Sequence, residues 1–199
     1  MSQEIKRSQI PVETKVLDGS TGLVEYIASD ESIDSYGEII RASGWRFDRF
    51  AKNAPFVDSH KYDSLECLLG RVVDFRVEGS RLIETVQWAV DVPANQRARI
   101  GWDMTRAGYL RAVSVGFFPT RMVTKWDQDK TAWKQQLAEL KVHEEDGVRA
   151  IYVEQQQVEL SAVVVPANSN ALIQLAKGYK AGVMPAKGGR PDLTDDLVR

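Results

Sequence analysis

Cysteine and histidine are both scarce in this chain. Its 199 residues include one cysteine, Cys67, and two histidines, His60 and His143. A single thiol cannot form an internal disulfide, so the sequence predicts a protein of a reducing compartment. The same scarcity excludes a zinc site built from several cysteines and histidines. A search for a histidine base is confined to two positions.

Long apolar runs and a strong net charge are absent as well. No stretch approaches the ~20 apolar residues that a membrane helix needs. The first residues, MSQEIKRSQIPVETK, lack the apolar core of a signal peptide. The formal net charge is only −2, which gives no reason to expect nucleic acid or an anionic membrane as a partner. The composition therefore predicts a soluble, intracellular protein.

Several cofactor and catalytic motifs are also missing. The sequence contains no phosphate-binding glycine loop, no dinucleotide fingerprint and no G-x-S-x-G elbow, and its DSYGE segment lacks the spacing of a calcium loop. We therefore predict a protein without cofactor or metal, and the α/β-hydrolase class is excluded.

Apolar residues make up 43% of the chain, and they mostly alternate with period two, which is typical of half-buried strands. Strands are predicted for 22–29, 36–43, 54–60, the LLGRVVDFRVEG and SRLIETVQWAV runs, and much of 110–119 and 148–167. A hairpin turn is predicted at Glu78-Gly79-Ser80. Helices are predicted for 45–53, 93–108, the middle of 128–147 and 168–182.

This pattern predicts a mostly β (α+β) fold, a largely antiparallel barrel or curled sheet with helical cover. In the 93–108 helix, Ile100 and Met104 fall on the face expected to pack. The domain would cover 20–182, between an N-terminal extension, 1–19, and a flexible C-terminal tail, 183–199.

The segment LRAVSVGFFP places a lone hydroxyl in an apolar strand. Val113 and Val115 point to one face, whereas Ser114 and Gly116 lie on the other, small face. Ser114 is either a filler bonded to a neighbouring carbonyl or a nucleophile with room for a substrate strand above it. The strand alone favours the filler.

A serine nucleophile needs a base, and the base needs an orienting carboxylate. His143 lies in a charged segment and is expected to be a solvated loop residue. His60 ends the apolar run APFVDSH, where it is either a base at a strand rim or a structural histidine bonded to Asp58 or Asp63. Glu159 and Asp58 are the two candidates for the orienting carboxylate.

Three segments, taken together and in order, resemble the motifs of one family. They are VDSHKYDSLECLLGRV with its histidine, GYLRAVSVGFFP with Ser-x-Gly-Phe, and VELSAVVVPANSNA with Glu-x-Ser and Pro-Ala-Asn. The early IASDESIDSYGEIIRASGW run matches the opening strands. This pattern is similar to the prohead (capsid maturation) proteases of tailed phages, of the HK97 type, over roughly residues 20–178.

The resemblance implies a fold like that of herpesvirus assemblin, an antiparallel β-barrel surrounded by helices. It implies a serine endopeptidase in which Ser114 is the nucleophile, His60 the base and Glu159 the third member. The backbone N–H of Ala167 or Asn168 would contribute to the oxyanion hole. The arginines found at this point in the herpesvirus enzymes are missing here.

The resemblance also implies substrates and a location. The major capsid protein, a scaffold protein and the enzyme itself would be the candidate substrates, inside the phage procapsid in the host cytoplasm. A homo-oligomer is expected. The 119–149 region is longer than the family minimum and would be a substrate flap or a subunit contact. Two other functions stay open, a non-enzymatic procapsid component with the same fold and a hydrolase of small esters.

Overall fold

The computed structural model describes residues 16–18 and 22–173. The C-terminal tail, residues 174–182 of the last predicted helix and most of the N-terminal extension lie outside the described residues. The domain boundaries at 19 and 182 therefore remain predictions. Within the described residues, no helix is long and apolar enough to cross a membrane.

Nine strands and two α-helices make up this part of the chain. The strands are β1 (Val16–Asp18), β2 (Leu23–Asp30), β3 (Glu38–Ile40), β4 (Trp45–Arg46), β5 (Pro55–Asp58), β6 (Leu68–Glu78), β7 (Arg81–Trp88), β8 (Ala112–Thr124) and β9 (Ala150–Val163). The helices are α1 (Gln96–Arg106) and α2 (Thr131–Leu140).

All nine strands belong to one curled, half-barrel sheet of order β1-β2-β7-β6-β5-β9-β3, with β4 and β8 also paired to β9. The predicted β-rich class is confirmed. The pairing is mixed, because β9 runs antiparallel to β8 but parallel to β3, β4 and β5. The described residues contain only two α-helices, where the sequence predicted a barrel surrounded by helices.

Two local predictions are wrong. The segment predicted as a helix over 45–53 forms β4 and a single 3-10 turn, Phe50–Lys52. The described part of the last predicted helix, 168–173, forms a turn and two isolated bridges, in which Leu172 pairs with Ala112 and Ile173 with Tyr26. Tertiary pairing with β8 and β2 outweighs the helical preference of this segment.

The main core lies between the curled sheet and α1. Trp88 of β7 is fully buried there and contacts Phe56 of β5 edge to face, with ring centroids 4.9 Å apart. The buried residues of α1 are Ala98, Trp102 and Thr105. A side chain at position 101 would collide with the Trp88 ring, so the glycine allows the helix to approach the indole closely.

The predicted packing face of α1 is wrong. Ile100 is 64% exposed and Met104 is 47% exposed, because the helix turns Ala98, Trp102 and Thr105 toward the core, with Trp102 beside Trp88. The predicted positions of this helix and of the β6–β7 hairpin agree with the structure. The helix starts after Asn95, whose side chain accepts the Ala98 N–H at 3.0 Å, and the β6–β7 hairpin turns at Gly79, with φ +60°.

A second, smaller core joins the 119–149 region to the sheet. Trp133 of α2 is fully buried, and its indole N–H donates to Glu144 at 2.6 Å. The other members of this core are Ile39, Val123, Leu137, Val148 and Ile151. The region is thus anchored by its own apolar contacts. Its predicted roles as a substrate flap or subunit contact are not tested.

Candidate active site

Two adjacent strands carry three of the polar residues of the site. In the antiparallel pair β8–β9, Ser114 lies opposite Ser161, and Gly116 lies opposite Glu159. Residues paired in this way share one face of a sheet. Val113, the residue before Ser114, is fully buried in the main core. The alternation read from the sequence therefore places Ser114 on the face away from Val113, as predicted.

His60 follows the end of β5, beside β9. Ser59 and His60 both have positive φ, +51° and +60°, an uncommon conformation for residues with a side chain. Two hydrogen bonds to β9 hold this turn, from Ser59 N–H to the Ala162 carbonyl at 3.0 Å and from His60 N–H to Ser161 Oγ at 2.9 Å. The strained turn fixes the position of the imidazole on a rigid strand end.

The imidazole contacts a buried carboxylate. His60 Nδ1 lies 2.7 Å from Glu159 Oε1, and the other oxygen, Oε2, accepts the Ser161 hydroxyl at 2.7 Å. Glu159 is 3% exposed, whereas the His60 side chain is 45% exposed. Because Glu159 occupies Nδ1, the Nε2 atom is the ring nitrogen that remains for proton exchange with a substrate or a nucleophile.

The ion pair changes the acidity of His60. The hydrogen bond to Glu159, helped by its negative charge, raises the pKa of His60 above 6.5, while partial burial opposes the rise. A neighbouring carboxylate that orients the ring and favours its protonated form is the arrangement that a general base requires.

The second carboxylate candidate, Asp58, is bound elsewhere. Asp58 Oδ2 lies 2.9 Å from Arg97 Nη1, and Oδ1 accepts the Ser59 hydroxyl at 2.8 Å. Glu159 is therefore the carboxylate that contacts His60. His143 is exposed at the start of a 3-10 turn, Glu144–Asp146, in agreement with its predicted place in a solvated loop.

Ser114 and His60 line one cleft of about 320 Å³. Ser114 is half-buried, and within residues 22–173 its hydroxyl makes no hydrogen bond with the His60 ring. Such contacts are often long without substrate and tighten when it binds. The structure thus joins His60 directly to Glu159 and brings Ser114 to the same cleft, and the three catalytic roles remain predictions.

The predicted oxyanion residues, Ala167 and Asn168, line the same cleft. Their loop is held by the Ala167 carbonyl, which accepts the Ser35 N–H at 3.0 Å, and by the Asn168 amide, which donates to Asp30 Oδ1 at 2.8 Å. Neither backbone N–H donates to another group of the described chain. Their role as oxyanion donors stays a prediction.

The cleft has an acidic lining. Asp30, Asp34 and Glu38 line it, and no lysine or arginine of the described residues does. Burial opposes the ionisation of Asp30, but hydrogen bonds from Ser32, Asn168 and Asn170 outweigh it and lower the pKa of the carboxyl. The lining of the cleft is therefore negatively charged.

Sequence reasoning missed the roles of two residues in this site. The small face at Gly116 was expected to leave room for a substrate strand, but a methyl group at Gly116 would collide with the Glu159 carboxylate. The sequence indicates for Ser161 only a place in the Glu-x-Ser motif, whereas in the structure its hydroxyl bonds both the His60 backbone and Glu159. The Glu-x-Ser and Ser-x-Gly spacings were the available signals, since period two places these residues on one face.

The described residues hold no group of three histidine, cysteine or acidic side chains arranged to bind a metal ion. Another acidic side chain, Glu84, lies buried near Glu159 and makes no contact with His60 in the described structure.

Comparison with known proteins gives one relative of interest. The chain is similar to a protein described as "Capsid polyprotein" from Pseudomonas phage PAJU2, with 26% identity over 174 residues. The matched region is 86% of this chain and 22% of that protein, so the chain spans about a fifth of the relative's length. No family model matches the chain, and no solved structure matches it significantly.

Proposed function

We propose that this chain is a serine endopeptidase that acts in the assembly of a phage procapsid. The carrying observation is the buried Glu159 carboxylate, 2.7 Å from His60 Nδ1, at a cleft that Ser114 also lines. A serine, a histidine and a carboxylate on rigid strands are the groups that acyl transfer to a serine needs.

In the proposed reaction, Ser114 Oγ attacks the scissile carbonyl and His60 Nε2 takes the hydroxyl proton. Glu159 stabilises the imidazolium, which then gives its proton to the leaving amine. Water, deprotonated by His60, attacks the acyl-enzyme, and the released Ser114 oxygen regains a proton from the imidazolium. The backbone N–H groups of Ala167 and Asn168 would bind the oxyanion.

The similarity to a phage capsid polyprotein supports capsid components as substrates. We propose that the major capsid protein and a scaffold protein are cleaved inside the procapsid, and that the enzyme works as a homo-oligomer. An enzyme that matches a fifth of a chain named a polyprotein fits a role in separating the parts of such a chain.

Covalent labelling tests the catalytic serine without knowledge of the substrate. A fluorophosphonate probe should modify Ser114, as located by peptide mass spectrometry, and labelling should vanish in Ser114→Ala and His60→Ala. Ser80→Ala, which changes an exposed serine in the β6–β7 turn, should label like the wild type. Labelling that persists in Ser114→Ala would reject Ser114 as the nucleophile.

Co-expression with the capsid and scaffold proteins of the same phage tests the substrate. Intact mass should show cleaved products with the wild type and with Ser80→Ala, and only full-length chains with Ser114→Ala. Properly assembled procapsids with uncut proteins in all three samples would reject the protease. They would instead support the non-enzymatic procapsid component.

A further inference from the structure

A carboxyl group lies in the middle of the main apolar core. Glu84 of β7 is 0% exposed, and its neighbours on the same face of the strand, Leu82 and Val86, are 0% exposed as well. Tyr26 of β2 and Phe75 of β6 are its partners on the flanking strands. At this inward position the alternation of β7 calls for an apolar residue.

Glu84 has no cation to balance a charge. None of the ion pairs among the described residues includes it, and neither of its oxygens accepts a hydrogen bond there. An isolated ionised carboxylate in such a place costs many kcal/mol, so the group takes up a proton instead. Burial, helped by the charge of Glu159 and opposed by the Gln157 amide, raises the pKa of Glu84 to about 8.

The amide beside Glu84 also lacks a partner. Gln157 of β9 is 0% exposed, its Oε1 accepts no hydrogen bond from the described chain, and its Nε2 donates to the Glu159 carbonyl at 3.4 Å. The two carboxyl oxygens and Oε1 are all acceptors without a donor. A proton on Glu84 that is donated to Gln157 Oε1 removes the buried charge and gives this oxygen a donor.

We propose that Glu84 is a positioning residue of the candidate active site, a neutral acid whose O–H donates to Gln157 Oε1. The amide is thereby fixed against the backbone of Glu159, two residues along β9, and the carboxylate is held in line with His60. This inference rests on the proposed function only in treating Glu159 as part of a catalytic site.

The charged and titratable surroundings of Glu84 are few. Tyr26 on β2 stays neutral, because burial raises the pKa of its phenol far above the physiological range. Arg76 of β6 pairs with Glu25 of β2 at 3.0 Å and with Glu78. Glu159 on β9 is the remaining charge. Ionisation of Glu84 would place a second negative charge beside Glu159. Added negative charge near the imidazole favours the protonated form of His60.

Infrared difference spectroscopy tests the protonation state. At pH 7 the wild type minus Glu84→Gln spectrum should show the carbonyl stretch of a protonated carboxyl, and this band should disappear as the pH rises through about 8. A carboxylate band at pH 7 in its place would overturn the neutral acid. This measurement needs no enzymatic activity.

A pair of variants tests the positioning role. Glu84→Gln is neutral and can donate from its amide to Gln157 Oε1, whereas Glu84→Leu fills the site but cannot donate. By NMR, the His60 pKa should stay raised in Glu84→Gln and fall toward 6.5 in Glu84→Leu. An unchanged His60 pKa in Glu84→Leu would reduce Glu84 to a core residue.

Kinetics separates this inference from the proposed function. Glu84→Leu should lower kcat about tenfold with little change in KM, as expected when a supporting contact is lost, and Glu84→Gln should restore it. If the wild type proves to have no protease activity, the proposed function fails, and the infrared and NMR results still decide the role of Glu84. Thermal unfolding verifies that both variants fold.

Discussion

Ser114 and Ser161 lie directly opposite each other on β8 and β9, yet only Ser114 borders the cleft. Ser161 is 0% exposed, and its hydroxyl is already engaged, because it donates to Glu159 and accepts the His60 N–H. Ser114 is half-buried and free to react. The two hydroxyls therefore have different roles. Ser114 is the candidate nucleophile, and Ser161 stabilises the turn that carries His60.

The two serines should respond differently to removal of the hydroxyl. Ser114→Ala should lower kcat/KM by about four orders of magnitude or more without loss of stability, since the members of such a site act as a unit. Ser161→Ala leaves the His60 N–H without its acceptor and should cost about 1–3 kcal/mol of stability. Its activity should fall only about tenfold. Steady-state kinetics and urea unfolding of both variants measure this, and the reverse order would contradict the assignment.

The raised pKa of His60 predicts the pH dependence. A general base must be unprotonated. The profile of kcat/KM against pH should therefore rise with pH and have its midpoint above 6.5. The stabilising contact with Glu159 works in the opposite direction. It is fully present below pH 6.5, the unfolded value, and is lost as the pH rises through the folded pKa of His60.

Glu159→Gln provides the control for that pH dependence. It should move the activity midpoint down toward 6.5 and lower the plateau by about two orders of magnitude, because the imidazolium loses its partner charge. NMR titration of His60 measures its pKa independently of turnover. A midpoint that does not move in Glu159→Gln would mean that another group controls the profile.

Gly116→Ala should displace the Glu159 carboxylate. The added methyl overlaps Glu159 at a place where neither strand can retreat, so we expect about 1–3 kcal/mol of destabilisation and a lowered His60 pKa. Gly79→Ala is the matched control. It costs about 1 kcal/mol through its positive φ, but its methyl meets open space and the site is untouched. Equal effects of the two on His60 would reject the contact.

The acidic lining of the cleft predicts a preference among substrates. Peptides with a lysine or arginine near the scissile bond should be cleaved faster than their glutamate counterparts, with a ratio that falls as salt is added. Asp34→Asn and Glu38→Gln should reduce this ratio several-fold. The first keeps the Oδ1 atom that accepts the Tyr36 N–H at 2.8 Å.

Asp48→Asn is the control for the charge effect, because Asp48 is exposed and does not line the cleft. It should leave the preference unchanged. A ratio that is insensitive to Asp34→Asn and Glu38→Gln would show that the acidic residues do not face the bound peptide.

The local features of the fold could be read from the sequence by itself. Period-two alternation determined the β-rich class, the β6–β7 hairpin and the face of β8 that carries Ser114. Scarcity confined the base to His60 or His143. These properties depend on neighbouring residues, so they are written in short stretches of the chain.

Only the tertiary structure decided which distant residues meet. Parallel pairing of β5 with β9 brings His60 to Glu159, about a hundred residues away along the chain. Asp58 is instead paired with Arg97. The packing face of α1 depended on the shape of Trp88, and the segment 168–173 depended on free edges of β2 and β8. The periodicity of apolar residues along one strand or helix carries no information about the element that will pack against it. That packing partner determines both the site and the core.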